Sequence, residues 1–302
     1  MLFWVRVRRK YDRVEKQADL VVGVEEVKAG VRRLSNWKAP GPDGVMGFWF
    51  KKFTALHHVL GRELQVCVVK GVVPDWMVKG RTVLIQKDSA KGTAVRNYRA
   101  IACLPIMWKL LSGIFAEKIY DHLKDKNLLP DEQKGCRKRS RGTKDQLLID
   151  KAIMLDARRK RRCLDMAWVD YKKAYDMVPH SWVMEVVKMM GVADNVRNLL
   201  ERSMKRWKTV LTADEKVLGT VKIKRGIFQG DSLSPLLFVM VMAPLTMILN
   251  EESKGYKLGN SGKLVNHLLF MDDLKVYASG KDELDALLGS VEEYSNDIGM
   301  EF

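Results

Sequence analysis

Three aspartates lie at the ends of short apolar segments of this sequence. Asp170 follows CLDMAWV (163–169), whereas Asp272 and Asp273 interrupt the apolar run LLFMDDLKVYA (268–278). Carboxylate oxygens are the hard ligands that Mg²⁺ prefers, and Mg²⁺ usually takes few protein ligands together with substrate phosphates. Two such ions ~4 Å apart can activate an attacking hydroxyl and stabilise the leaving oxygen of an in-line displacement. The three acids therefore indicate metal-assisted phosphoryl transfer.

An Asp-Asp pair also has an ordinary structural interpretation, as a solvated turn. A turn between two strands more often uses Asn-Gly or Gly-Gly, and here the pair lies between two apolar runs. The setting of the pair therefore favours a chemical role over a simple turn.

The charge of the chain indicates the kind of partner on which such chemistry would act. Its 302 residues include 53 Lys and Arg against 37 Asp and Glu, which gives a formal net charge of +16. This excess predicts a polyanionic partner, nucleic acid before an anionic membrane surface. The basic runs Arg137–Arg141 (RKRSR) and Arg158–Arg162 (RRKRR) can follow a phosphate backbone. The alternative for both runs is that they solvate helix surfaces.

Composition excludes several other classes of protein. With 47% hydrophobic residues the chain can bury a core, which excludes wholesale disorder. The four cysteines and five histidines are scattered, which argues against a zinc cluster, a redox C-x-x-C pair and a His-based triad. Scattered thiols and the lack of an N-glycosylation sequon predict an intracellular protein, of the cytoplasm or nucleus. We expect no secretory or transmembrane segment and no membrane partner, because the longest uncharged apolar run (236–249) contains Pro244 and is shorter than a span.

The elements that must position these residues are a mixture of helices and strands, many of them antiparallel, and predict an α+β fold. The N-terminal segment is helix-like. Further helices are expected over residues 45–69, 105–126, 142–162, 181–190, 194–206, 232–250 and 283–298. Strands are expected over residues 81–86, 163–169, 209–212, 217–224, 264–270 and 274–278, with a hairpin turn at 213–216.

Several motifs in this order resemble those of one enzyme family. WVDYKKAYDMVPHSW (168–182), RGIFQGDSLSPLLF (225–238) and FMDD (270–273) resemble motifs A, B and C of reverse transcriptases. KAPGPDGV (38–45), LIQKDSAKGTAVRNYRAIACLP (84–105) and QKGCRKRSRGTKDQ (133–146) resemble the fingers motifs of non-LTR, LINE-like retrotransposon enzymes. The resemblance extends from about residue 38 to residue 302.

The resemblance implies a right-hand polymerase fold of fingers and palm, with an antiparallel palm sheet packed on helices. We expect an N-terminal helical extension at residues 1–37, fingers at 38–162 and palm at 163–302. Fingers and palm intermix in one reverse transcriptase domain at 81–302. The sequence ends 29 residues after Asp273, at a motif D-like stretch, so the thumb is expected to be absent.

The resemblance also implies a metal site. Asp170, Asp272 and Asp273 match the three catalytic acids, which hold two Mg²⁺ ions, with Mn²⁺ as a possible substitute. The backbone carbonyl of Tyr171 is implied as a further ligand. Asp272 is expected to be the stronger ligand of the Asp-Asp pair.

A second group of residues is implied to bind the nucleotide. Lys87 and Arg99 match the fingers residues that grip the incoming triphosphate, and a lysine point charge beside an arginine fork suits a polyphosphate. Ala174 and Tyr175 lie in motif A, where an aromatic ring at Tyr175 would clash with a ribose 2′-OH. Its alternative is an ordinary core tyrosine.

Motif B contributes a further implied contact. Gln229 and Gly230 match the pair beside the nascent base pair. Asp231 and Ser232, which follow them, also make a good N-cap for the next helix.

The implied activity is RNA-directed DNA synthesis, with an RNA template, a DNA primer and deoxynucleoside triphosphates as partners; no protein partner is indicated. One alternative is a catalytically inactive retrotransposon remnant that only binds nucleic acid, and another is a group II intron-type maturase. A viral RNA-dependent RNA polymerase is disfavoured by Tyr175 and by Met271 before the acids.

Overall fold

The computed structural model describes residues 2–94, 97–213, 216–259 and 262–302. The helices, in chain order, are α1 (Leu2–Tyr11), α2 (Val24–Arg33), α3 (Gly47–Lys52), α4 (His57–Lys70), α5 (Ile106–Asp125), α6 (Thr143–Lys160), α7 (Ala174–Met177), α8 (His180–Met189), α9 (Asp194–Met204), α10 (Ser234–Glu251) and α11 (Lys281–Ile298). The strands are β1 (Lys79–Gln86), β2 (Tyr98–Cys103), β3 (Asp165–Val169), β4 (Lys208–Ala213), β5 (Lys216–Lys222), β6 (Tyr256–Leu258), β7 (Lys263–Val265), β8 (His267–Phe270) and β9 (Asp273–Ala278). This mixture confirms the predicted α+β class.

The chain forms two compact units, each assembled from separate stretches of sequence. The first unit comprises the chain up to Val14, Leu123–Met189 and Pro235–Phe302. The second comprises Glu15–His122 and Met190–Ser234. The fingers and palm boundaries expected at residues 38 and 163 remain predictions.

The first unit is built on a three-stranded sheet in the order β3-β9-β8. Both pairings are antiparallel, with Val169 opposite Leu274 and Phe270 opposite Asp273. The helix α11 packs on β3 and β9, and α6 packs on β8. A cluster of apolar side chains fills the α6 side of this sheet, with the members Ile153, Ala157, Tyr256, Leu268 and Tyr277.

The apolar run expected to form a buried helix is α10. Of the helices in the described stretches, it alone has the length and composition to cross a membrane, yet 72% of it is buried inside the structure. Both ends of its apolar core, Leu236 and Leu249, are among the buried residues. This burial is what a core helix of a folded unit shows, since a helix that is apolar all round requires cover on every side.

The second unit is built on a four-stranded sheet in the order β2-β1-β4-β5. β1 and β2 are antiparallel, and so are β4 and β5, as the predicted hairpin requires. Its turn residues 214 and 215 lie outside the described residues. The central pairing of β1 with β4 is parallel and joins segments more than 100 residues apart in sequence. No local pattern predicted it.

Two predicted elements are wrong in detail. The helix expected over 45–69 is broken at Phe53, whose backbone (φ −89°, ψ 64°) is not helical, so α3 and α4 are separate. The strand expected over 264–270 is divided at Asn266 between β7, which pairs with the unpredicted β6, and β8. Asn266 is buried, and its side-chain amide donates to the carbonyl of Leu249. A buried side chain that needs a partner thus decides where the strand changes sheets.

A buried hydroxyl pair across β1 and β4 allows a test of the parallel pairing. The hydroxyls of Thr82 and Thr209 are 2.7 Å apart, and both residues are buried. We expect Thr82→Val to lower the free energy of unfolding by about 1–3 kcal/mol, because it leaves the Thr209 hydroxyl buried without this partner. The double variant Thr82→Val/Thr209→Val should recover most of this loss. Urea unfolding of the four proteins measures the effect, and simple additivity of the two losses would contradict it.

Candidate active site

The antiparallel sheet of the first unit brings the three predicted acids to one end. Asp170 directly follows β3, and Asp273 is the first residue of β9. Because Val169 is opposite Leu274, the next position in the same register places Asp170 opposite Asp273. Asp272 precedes Asp273 at the tip between β8 and β9. Asp170 and Asp273, which are 273 − 170 = 103 positions apart in the sequence, are therefore neighbours.

The charges of the three acids act on one another. Asp272 is half-buried, and its pKa is raised first by burial and then by the negative charges of Asp273 and Asp170. Asp170 and Asp273 are exposed. A cation placed here would relieve both the desolvation and the repulsion, so the donor set fits a hard divalent ion. The described residues nevertheless contain no group of three His, Cys, Asp or Glu side chains already arranged around a metal position.

The residue after Asp170 is anchored in the core of the first unit. The Tyr171 side chain is buried, and its hydroxyl shares a 2.9 Å hydrogen bond with the hydroxyl of Ser295 on α11. Burial raises the pKa of Tyr171 to about 12. The next residue, Lys172, donates its backbone N–H to the carbonyl of Glu301 at 2.9 Å. These contacts hold the turn that follows β3.

Ala174 and Tyr175 begin α7. Ala174 is buried, whereas Tyr175 is half-buried. The Tyr175 ring stacks on Phe238 of α10, with 5.1 Å between centroids and 3° between planes. Burial raises the pKa of Tyr175, and the charges of Cys136 and Asp272 add smaller increases. Tyr175 is therefore packed on one face and lies within electrostatic reach of the acids.

In the second unit Lys87 directly follows β1, and Arg99 lies on β2, the strand paired with β1. Arg99 is opposite Ile85 in the β1–β2 register, and the Lys87 N–H donates to the carbonyl of Asn97 at 2.7 Å. Side chains two residues apart on a strand share a face, so Lys87 and Arg99 are diagonal neighbours on one face of the ribbon. Both are exposed. The β1–β2 register, continued by one residue, therefore predicts that these two cations lie near each other.

The loop that joins β1 to β2 is tied to Asn97. The Asn97 side-chain amide is buried and donates to the carbonyls of Asp88 at 2.6 Å and Gly92 at 2.8 Å. The Asp88 carboxylate accepts the N–H of Ala90 at 3.0 Å. These bonds order the chain directly after Lys87; residues 95 and 96 lie outside the described residues.

Gln229 and Gly230 pack against β2 through their backbone. The Ala102 N–H donates to the carbonyl of Gln229 at 3.0 Å. Gly230 has φ +113°, and a Cβ there would lie 2.6 Å from the carbonyl oxygen of Ala102. Only glycine permits both this backbone conformation and this approach.

Asp231 caps α10, as its alternative interpretation predicted. Its carboxylate accepts the N–H groups of Leu233 and Ser234 at 3.2 Å each, and the hydroxyl of Ser112 at 2.7 Å. Asp231 is buried, which raises its pKa, while these bonds lower it. Its role is therefore structural.

The two basic runs are partly occupied by structural contacts. Arg137 donates to the carbonyls of Leu129 and Pro130 and to the carboxylate of Asp131. Arg162 donates to the carbonyl of Lys257 at 3.2 Å. Because Arg137 and Arg162 are engaged in contacts within the protein, they are less available either to bind a phosphate backbone or to solvate a helix surface.

Sequence reasoning missed one residue of the first unit that contacts the acid-bearing tip. Gln133 is 2% exposed, and its side-chain amide bonds the backbone of Met271, the residue before Asp272. In the sequence, the role of Gln133 is indicated only by an uncharged amide in the segment QKGC (133–136), which looks like an ordinary loop residue.

These observations define a polymerase-like arrangement of three acids on an antiparallel sheet. The family model of reverse transcriptase (RNA-dependent DNA polymerase) matches residues 85–302. Since this is most of the chain, the protein belongs to the reverse transcriptase family. It carries the RNA-directed DNA polymerase domain of retrotransposons.

The chain is also similar in sequence to named proteins of retrotransposable elements. The chain is 26% identical over 278 residues to the retrovirus-related Pol polyprotein from type-1 retrotransposable element R2 of Nasonia vitripennis. The aligned region covers 92% of this chain and 26% of that protein. It is 24% identical over 272 residues to the corresponding polyprotein from type-2 retrotransposable element R2DM of Drosophila melanogaster, covering 89% of this chain and 24% of that protein. It is 24% identical over 236 residues to the RNA-directed DNA polymerase from mobile element jockey of Drosophila funebris, covering 74% of this chain and 24% of that protein.

The chain spans about a quarter of the length of these three curated relatives. Their names confirm the predicted class, a reverse transcriptase of a non-LTR retrotransposon.

The close approach of Gly230 to Ala102 can be tested by adding one methyl group. We expect Gly230→Ala to lower the free energy of unfolding by about 2 kcal/mol or more, because the left-handed backbone is strained and the Cβ meets a carbonyl. Gly92→Ala is the matched control, since Gly92 also has positive φ (+67°) but nothing within 4 Å of its Cβ position. Urea unfolding should show the larger loss for Gly230→Ala. Equal losses would mean that backbone strain alone explains the glycine.

Proposed function

We propose that this chain is the catalytic core of the polymerase and joins deoxynucleotides to a primer 3′-OH on an RNA template. The observation that carries the proposal is the β3–β9 register, which puts Asp170 opposite Asp273 and beside Asp272. Solvated turns give no reason for three carboxylates to meet at one end of a sheet. A phosphoryl-transfer site does, because it needs several hard oxygen ligands close together.

The acids and the Tyr171 carbonyl are the proposed ligands of Mg²⁺, or of Mn²⁺ in its place. Two bound ions would activate the primer hydroxyl and neutralise charge on the leaving pyrophosphate. Asp170 and Asp272 would hold their carboxylates toward the reacting phosphate. The buried Tyr171 ring fixes the backbone from which its carbonyl projects.

Lys87 and Arg99 are proposed to bind the triphosphate of the incoming nucleotide. Their place on one face of the β1–β2 ribbon supports this role, since two adjacent exposed cations match a polyphosphate better than scattered ones. Gln229 is proposed to contact the nascent base pair. The Gln229 side chain is half-buried and makes no hydrogen bond within the described parts of the chain, since the backbone carbonyl of Gln229, and not its side-chain amide, holds β2.

A second candidate function is nucleic-acid binding without catalysis. The net charge of +16 favours it independently of the acids, because phosphate contacts alone support binding. The two functions differ in what the carboxylates do, so a carboxylate variant separates them.

We expect Asp272→Asn to reduce primer extension by about 100-fold or more while leaving RNA binding unchanged, because the amide keeps the volume and removes the charge. Asp285→Asn is the matched control, since Asp285 is exposed on α11 away from the sheet end. Extension of a DNA primer on an RNA template and gel-shift affinity are measured for both variants. Equal extension by Asp272→Asn and Asp285→Asn would refute catalysis by the acids. A parent protein that binds RNA but does not extend the primer would favour the binding function.

Tyr175 is proposed to exclude ribonucleotides. Its ring is held flat against Phe238, so it cannot readily turn away from a 2′-hydroxyl. We expect Tyr175→Val to raise the ratio of ribo- to deoxynucleotide incorporation by about 10-fold or more, because a removed clash changes selectivity strongly. Tyr175→Phe keeps the ring and should keep the ratio. An unchanged ratio in an active Tyr175→Val protein would leave Tyr175 as a core residue.

A further inference from the structure

The side-chain amide of Gln133 holds the tip between β8 and β9. Its Oε1 accepts the N–H of Met271 at 2.8 Å, and its Nε2 donates to the carbonyl of Met271 at 3.1 Å. Both polar backbone groups of Met271 are therefore bound by one buried amide. Asp272 is the next residue in the chain.

The conformation of Met271 explains why such a grip matters. Its φ is +57°, in the left-handed region that a side chain as large as methionine rarely adopts. A residue stays in this region only when its surroundings hold it there. The direction of the Asp272 carboxylate depends on this backbone, since the two residues share a peptide bond.

Gln133 is itself held in place on both sides. Its Oε1 also accepts the N–H of Gly135 at 2.8 Å. The Lys134 N–H donates to the carbonyl of Leu269 at 3.0 Å, and the Leu269 N–H donates to the carbonyl of Glu132 at 3.0 Å. The segment 132–135 is thus fixed along β8, and the amide has little freedom to leave Met271.

We infer that Gln133 is a positioning residue for the polymerase reaction: by clamping the Met271 backbone it sets the Asp272 carboxylate for metal binding. The inference rests on the proposed function. Among the described residues, the Gln133 side chain bonds the backbone of Met271 and Gly135 and not the acids, so it acts through Met271. Partners that orient a metal ligand commonly change metal affinity or activity by about 10–100-fold when removed.

The test compares Gln133→Met with Gln146→Met. Both variants replace an amide by an apolar chain of similar length. The Gln146 amide donates to the carbonyls of Glu132 and Leu269 at 2.8 and 2.7 Å, so it holds the same segment without touching Met271. The control therefore reports general loosening of that segment.

Three measurements are made on the full chain. Hydrogen exchange of the 267–273 amides reports the tip directly, and Mn²⁺ titration followed by EPR reports metal affinity. Primer extension gives kcat and the KM for deoxynucleotide. For Gln133→Met we expect faster exchange of these amides, about 10–100-fold weaker Mn²⁺ binding and a similar fall in kcat with KM unchanged. Gln146→Met should be close to the parent in Mn²⁺ binding and kcat.

Equal effects of the two variants, or an unchanged Mn²⁺ affinity and exchange rate in Gln133→Met, would overturn the inference. If Gln133→Met does not fold, Gly135→Ala replaces it, because a Cβ at residue 135 would lie 2.8 Å from Gln133 Oε1 and against Met271 Sδ. That variant should show the same three changes. A parent without extension activity would defeat the proposed function, while exchange and Mn²⁺ binding would still decide the role of Gln133.

Independently of Gln133, the second unit contains a cleft of about 110 Å³. Three cations line it, Arg33, Lys38 and Lys109, together with the backbone of Gly230. Lys109 is half-buried, and its ammonium makes no hydrogen bond or ion pair within the described stretches of the chain. Burial lowers the pKa of Lys109 and the charge of Lys38 lowers it further, whereas Cys103, Asp231 and Asp43 raise it.

The carboxylates near this cleft are engaged elsewhere. Asp231 accepts hydrogen bonds from Ser112, Leu233 and Ser234, and Asp43 accepts the N–H of Val45 at 3.2 Å. Arg33, Lys38 and Lys109 give the cleft three cations, and an oxyanion bound there would lower the repulsion between the charges of Lys38 and Lys109.

We propose that this cleft binds a phosphate group through Lys38 and Lys109. The phosphate comes either from the RNA backbone or from a free nucleotide, and the two sources are distinguishable. Neither lysine is among the residues to which the resemblance gives a role.

The test uses Lys38→Met/Lys109→Met, which should fold because Lys38 is exposed and burial already disfavours the charge of Lys109. Lys70→Met/Lys79→Met is the control, since it removes the same charge from exposed positions outside the cleft. RNA affinity is measured against salt without nucleotide. One lost phosphate contact should reduce the slope of log affinity against log salt by about 0.7 more than in the control.

The KM for deoxynucleotide, measured in the same variants, covers the second source. A selective change in the RNA slope assigns the phosphate to RNA, and a selective rise in KM assigns it to the nucleotide. If the two double variants behave alike in both measurements, the cleft contributes only diffuse charge and the proposal fails.

Discussion

The antiparallel pairing of β3 with β9 is the constraint on which the candidate site depends. It aligns Val169 with Leu274 and therefore brings the end of one strand beside the start of the other. A slip of one residue would turn every side chain to the opposite face and separate the acids. The apolar strand residues that set this register are buried under α11 and against the α6 cluster. The packing that forms the core of the first unit therefore also fixes the positions of the acids.

Placing three carboxylates together opposes folding, and the surrounding residues counter this. Repulsion and burial raise the pKa of Asp272, so the tip would relax if its backbone were free. Gln133 binds that backbone from one side. On the strand opposite, the buried Tyr171 ring and the bond from Lys172 to Glu301 hold the turn after Asp170. These contacts fix the backbone on both sides of the acids, and preorganisation of this kind is how a site gains electrostatic effect.

In the second unit, the candidate residues are positioned by backbone contacts and not by a cluster of charges. Lys87 and Arg99 share a face because β1 and β2 are antiparallel neighbours. Gly230 lies against Ala102 of the same β2 strand, so the motif B segment and the strand that carries Arg99 are one packed assembly. In this chain Gly230 is therefore needed for packing, whatever contact it makes with substrate.

The sequence by itself determined the α+β class and the reverse transcriptase family, and it singled out the three acids, whose catalytic role stays a prediction. Apolar segments ending in Asp are visible locally, and ordered motifs carry the family. It did not determine that Gln133 binds Met271, that Asn266 divides a strand between two sheets, or that β1 pairs in parallel with β4. These depend on partners more than 100 residues away or on the needs of a single buried amide. Only the tertiary structure decides them, because no periodicity records which distant group will satisfy a buried donor or acceptor.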